Sequence, residues 1–171
     1  MGVASSCACI AMSRSIRFST GRAGVCFKAV AAGVFDELVR ETEELLQATS
    51  ADAGTAISRA TDEFGFSWIV IEDRDVEDLA TTSHVISRSL EERGFSERLL
   101  CALFGFDGPP GPVELVYAYK RGRFYPFAPR DGRARDTTLE LRVKGLLERE
   151  LAMEPELGRW YPVWEAPVSR G

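Results

Sequence analysis

Histidine is nearly absent: His84 is the single one among 171 residues. No site that needs two histidines and no His-rich metal centre can therefore be built. Four cysteines do not fill the gap, because no CxxC or zinc-ligand spacing occurs. No apolar run approaches the roughly 18 residues needed to cross a bilayer, so no transmembrane segment is expected. Acidic residues are missing from positions 1 to 35, which carry Arg14, Arg17, Arg22 and Lys28. A global basic field is missing too. With a net charge of -5 and a pI near 5.1, nucleic acid is not expected as a partner. The glycines Gly105, Gly108 and Gly111 lack the lysine and the strand-glycine-helix setting of a phosphate loop, and their interleaved prolines read as a rigid connector.

What is present is enough apolar matter, 45% of the residues, for one domain with a sizeable core. The domain is placed at residues 21–171. Residues 1–20, small, Ser-rich and without period, read as a disordered tail or a mis-assigned start. Short patterns there also match a transit-like peptide, N-myristoylation at Gly2, and palmitoylation of Cys7 and Cys9. Cys26 and Cys101 lie in the apolar runs AGVCFKAV and RLLCALFGF and read as small buried hydrophobes of a reduced, cytoplasmic protein.

Periodicity predicts the order β-α-β-β-α-β-β-β-α. The first strand is expected over 22–30 and a helix follows from Phe35, with Leu38, Val39, Leu45 and Leu46 on its apolar stripe. Strands at 56–61 and 66–71 precede a helix capped by Asp73 or Asp75. That helix buries Val76, Leu79, Ala80, Ser83, Ile86 and Leu90 and stops at Gly94. A strand at 98–106 leads to the β-hairpin VELVYAYKRGRFYPFAP, turned at Gly122 and ended by Pro126 and Pro129. The last helix is expected to be capped by Asp136 or Thr137, with Thr137 and Glu140 placed for a capping box, to bury Leu139, Val143, Leu146, Leu147 and Leu151, and to stop at Pro155. Adjacent strands with few crossovers give an α+β fold: a mostly antiparallel sheet of about six strands with three helices. Its element order is analogous to YbjN-like and secretion-chaperone-like domains.

Catalytic signals are thin, and no enzyme activity, cofactor or metal is expected. His84 reads as a boundary residue on the second helix. The acids Glu72, Asp73, Asp75, Glu77 and Asp78 read as helix-start acids without EF-hand spacing. What stands out is a surface. The hairpin and the aromatic tail after Pro155 combine aromatic and basic residues, the types that dominate binding hot spots. The candidate binding surface comprises Tyr119, Lys120, Arg121, Arg123, Phe124, Tyr125, Arg130, Trp160 and Trp164. The structural alternative is that Trp160, Tyr161 and Trp164 only cover the hairpin. A second functional reading makes the basic segment 120–135, with Arg121, Arg123, Arg130, Arg133 and Arg135, a small-anion or nucleotide-binding module.

The runs GVCFK at 24–28, EFGFSW at 63–68, LLCAL at 99–103, YKRGRFYPFAP at 119–129 and RWYP at 159–162 resemble the actinobacterial PspA-associated protein PspAB family over about residues 22–167. The hairpin is the most specific of these matches, and residues 1–20 depart from the longer, helix-containing start of the family. The resemblance implies a cytoplasmic accessory protein of the PspA phage-shock system, which guards the envelope under stress. It implies contact with PspA or another phage-shock component, peripheral association with the inner face of the membrane through that partner, and no enzymatic activity.

Overall fold

The computed structural model describes residues 18–29, 31–49, 54–108, 111–164 and 166–168. The expected sites at Gly2, Cys7 and Cys9 lie outside the described residues, as do the side chains of Leu45 and Leu46. The elements are β1 (Phe18–Phe27), α1 (Ala32–Thr49), β2 (Ala56–Thr61), β3 (Ser67–Glu72), α2 (Val76–Glu92), β4 (Leu99–Asp107), β5 (Val113–Ala118), β6 (Arg123–Phe127) and α3 (Thr137–Leu147). This is the α+β order read from the sequence. Two short strands, β7 (Pro129–Arg130) and β8 (Ala134–Arg135), form a separate ladder between β6 and α3.

The main sheet has the order β2-β3-β1-β4-β5-β6, and its pairings are all antiparallel. β1 starts at Phe18 rather than the expected Arg22. A register shift between Ser19 and Ala23, with Gly21 at φ 73, carries it past small polar residues that show no alternation.

Alternation along the strands makes two apolar faces. One face sends Val25, Phe27, Ile69, Ile71, Phe104, Leu115 and Phe124 against the buried stripes of all three helices, including Leu38, Leu79, Ile86, Leu90, Val143 and Leu147. The other presents Cys26, Trp68, Val70, Leu103, Val116, Tyr125 and Phe127, and among the described residues it is covered by the C-terminal segment through Trp160, Ala166 and Val168. Burying a large side chain on either face stabilises the fold by about 1.5–3 kcal/mol.

α2 starts as expected: the Asp75 carboxylate accepts from Glu77 N at 2.8 Å, and Gly94 at φ 81 ends the helix. Ser83, on the buried stripe, satisfies its hydroxyl by donating to Leu79 O at 2.8 Å. α3 is capped by Asp136, one of its two expected caps, which accepts from Leu139 N at 2.9 Å. The rest of the helix departs from expectation. Glu140 is buried and takes long-range partners instead of closing a capping box. Leu146 points to solvent, and the helix ends at Leu147 before Pro155 is reached. Pro126 also lies within β6, opposite Leu115, rather than ending it. Here β6 bonds to β5 on one side and takes a single short bridge on the other. Phe124 N donates to Ala152 O at 2.9 Å and Glu154 N donates to Phe124 O at 2.8 Å, so residues 152–154 close the sheet margin. The chain then crosses to the helix-free face. No described helix is long and apolar enough to cross a membrane.

Candidate functional site

On the helix-free face a local irregularity opens a site. Phe27 pairs with Leu99 and Cys26 with Cys101, so Leu100 is an extra residue in β4. A bulge re-aims side chains. Leu99 joins the helix-side core, while Leu100 and Cys101 both turn to the opposite face. Beside them lies a cleft of about 340 Å³. Its floor includes Trp68 and Tyr125. Phe64 and Phe66 of the β2–β3 turn form one wall, Tyr161 to Trp164 form another, and Lys120 and Arg121 of the hairpin tip complete the lining.

The walls are held by polar contacts that need no ligand. Asp62 accepts from Phe64 N at 3.0 Å, from Phe66 N at 2.9 Å and from Trp68 Nε1 at 2.9 Å. This fixes the turn and satisfies the indole of a buried Trp. Tyr125 donates its hydroxyl to Tyr161 O at 3.0 Å, and burial pushes its phenol up. Its ring stacks with Trp160 at 6.4 Å between centroids, and Phe127 meets Trp164 edge-on at 4.8 Å. Arg121 lies over the Tyr161 ring at 5.5 Å and 4.0 Å from the carboxylate of buried Glu154. Lys120 sits 3.5 Å from Glu97, with more than half of its side chain in solvent.

Of the predicted surface, the structure brings Lys120, Arg121, Tyr125 and Trp164 to this cleft. Trp160 is buried beneath the same face and donates from Nε1 to Glu154 O at 3.1 Å, with no part in the cleft lining. Phe124 belongs to the helix-side core, 4.7 Å from Tyr117, because strand alternation sends neighbouring Phe124 and Tyr125 to opposite faces. Tyr119 packs on the helix side with Tyr117 at 5.3 Å, and burial pushes its phenol up. Arg123 is exposed and donates to Met153 O at 3.2 Å. Arg130 pairs with Asp136, Arg133 with Glu63 and Arg135 with Glu140. The charge of these three arginines is thus answered by carboxylates outside the segment, Glu63 of the β2–β3 turn among them. The Arg130 guanidinium, together with Leu139 N, holds the Asp136 carboxyl below its ordinary range.

His84 is half-buried on α2 and does not line the cleft. The acids before α2 serve the chain itself: Glu72 pairs with Arg22, Asp73 accepts from Asp75 N at 2.8 Å, and Asp75 caps the helix. Burial and the neighbouring acids Asp73, Asp75 and Glu77 push the Asp78 carboxyl up. Among the described residues no group of three or more His, Cys, Asp or Glu gathers to hold a metal.

The sequence did not mark Asp62 or Phe64 as part of a site, and it marked Cys26 and Cys101 as buried hydrophobes but not as a facing pair. Asp62 left a legible trace, since an acid three residues before a glycine between two strands marks a side-chain-closed turn, and Gly65 has φ 79. The cysteine pair left none, because it depends on a register set by one inserted residue.

Among protein families, the model described as PspAB, PspA associated protein B, matches residues 3–168. The match begins well before residue 22, so most of the N-terminal segment read as a departure from the family lies inside it. No curated protein and no solved structure matches the chain, and the YbjN and secretion-chaperone comparison rests on element order alone.

Proposed function

This chain belongs to the PspA associated protein B family, and from that premise we propose that it is a non-enzymatic accessory protein of the phage-shock response to envelope stress, binding PspA directly through the aromatic cleft. One observation carries the reading: Phe64 and Tyr161, each 59% exposed, flank a cleft that Lys120 and Arg121 also line. Large aromatic side chains left in water beside cationic groups are the usual makings of a binding hot spot. In this reading the protein works in the cytoplasm and reaches the inner face of the membrane only through its partner.

The test is a binding titration against purified PspA. Arg121 is a poor probe because it is the counter-charge of buried Glu154, so its loss disturbs the fold. Tyr161→Ala, Phe64→Ala and Lys120→Glu change exposed groups. The two aromatic truncations are each expected to weaken binding about tenfold, the effect of losing roughly 1.4 kcal/mol at a hot spot. Lys120→Glu weakens it further at low salt. Arg123→Glu, outside the cleft lining, leaves it unchanged. Wild-type affinity in all three cleft variants, with intact circular dichroism, rules this face out as the PspA contact.

A further inference from the structure

Cys26 and Cys101 stand directly opposite each other on β1 and β4, and both line the cleft. Facing residues of an antiparallel pair have Cα atoms about 4.5–5.5 Å apart, within the roughly 4.4–6.8 Å that a disulfide spans. Bond formation at this position asks for rotation of two side chains, not for movement of strands.

The two thiols differ in surroundings. Cys26 is 3% exposed, whereas Cys101, turned outward by the Leu100 bulge, is half-buried and open to the cleft. The hydrogen bond to the Cys101 sulfur, and then burial, push the Cys26 thiol up. Cys26 is the deeper thiol of the two. A reagent entering from solvent meets Cys101 first.

We infer that Cys101 and Cys26 form a hydroperoxide-reactive dithiol, Cys101 being the attacking sulfur and Cys26 the resolving one. In the first step the Cys101 sulfur attacks one peroxide oxygen. The O–O bond breaks, the S–O bond of a sulfenic acid forms, and the thiol proton leaves with the alcohol, or with water when the oxidant is hydrogen peroxide. In the second step the Cys26 sulfur displaces the sulfenic hydroxyl. The S–S bond forms and one water departs with the Cys26 proton. Two thiols are oxidised by two electrons in all, and one peroxide is reduced by the same two. The reaction needs no partner protein, so it stands or falls apart from the PspA reading.

The chain also contains Cys7 and Cys9, so the experiment uses the full-length protein with Cys7→Ser and Cys9→Ser. Folded protein is treated with a small excess of hydrogen peroxide, unfolded, labelled with a maleimide and weighed intact. The expected result is loss of both maleimide adducts, their return after dithiothreitol, and a tryptic Cys26–Cys101 cross-link. Cys26→Ala should stop at a sulfenic acid on Cys101 that dimedone traps, and Cys101→Ala should leave Cys26 unmodified. Two maleimide adducts surviving on the oxidised protein overturn the proposal. So does linkage only between separate molecules, or an equal rate of intramolecular bond formation when the oxidant is added to protein already unfolded.

Discussion

Removing the charge of Glu140 should unfasten several parts of the molecule at once. Its side chain is 1% exposed. One oxygen accepts from Ala128 N at 2.9 Å, and the carboxylate takes Arg135 Nε at 2.9 and 3.1 Å. Arg135 in turn donates to Trp160 O at 2.8 Å and lies over the Phe127 ring at 5.3 Å. The pair therefore joins α3, the end of β6, the β7–β8 ladder and the aromatic segment. Glu140→Gln keeps an acceptor for Ala128 N but leaves the guanidinium, 27% exposed, without its counter-charge. Breaking one side of a buried pair costs roughly 3–5 kcal/mol. Because the arginine retains some water, the lower end applies, about 3 kcal/mol. At about 2–4 °C per kcal/mol for a chain of this size, Tm should fall by about 6–12 °C. Arg135→Met combined with Glu140→Gln should recover much of the loss, since the uncompensated charge is then gone. Urea unfolding followed by tryptophan fluorescence and by far-UV circular dichroism gives the four stabilities of the double-mutant cycle. A cost under about 1 kcal/mol for Glu140→Gln, or additive effects in the cycle, would refute the reasoning.

Two further outcomes follow from close packing and from charge. A Cβ on Gly24 would stand 2.6 Å from Val168 Cγ2 and 3.1 Å from the Trp68 ring. Gly24→Ala should thus lift the end of the C-terminal segment, cost about 1–3 kcal/mol and speed cleavage of that end by carboxypeptidase; unchanged stability and digestion would show that the approach is not tight. Asp136 has a carboxyl lowered in the folded state by Arg130 and Leu139 N, so its contribution is present above the unfolded pKa near 3.9 and is lost as pH falls through the folded value. Asp136→Asn, which retains a capping side chain, should melt lower than wild type at neutral pH and converge with it once the pH has fallen through the folded value; a constant gap in Tm from neutral to that acid end would dismiss the Arg130 pairing.

Much of the fold was legible because period and punctuation agree. Val25 and Phe27 against Cys26, the α2 stripe from Leu79 to Leu90, and Gly94 and Gly122 at positive φ all follow from local rules. Glu140 and Cys101 are read locally but take partners on other elements. Glu140 satisfies every local sign of a capping acid, but its oxygens go to Ala128 N and Arg135. The site was half legible for the same reason. The aromatic and basic character of 119–129 was plain, but which of Phe124 and Tyr125 faces the cleft depends on sheet register. The wall built by Phe64 and Phe66 comes from a turn distant in sequence. Leu146 misled because helical spacing alone does not reveal that α3 packs along one edge strand.

The cover on the helix-free face comes from residues 160–168, which follow all six strands of the main sheet in sequence. A sheet that assembles on the ribosome as its strands emerge therefore does so with Trp68, Val70, Leu103, Val116 and Phe127 bare, and it stays sticky until Trp160, Ala166 and Val168 have followed. A nascent chain stalled after β6 presents to chaperones, and to other nascent chains, the apolar sheet surface that the finished molecule conceals.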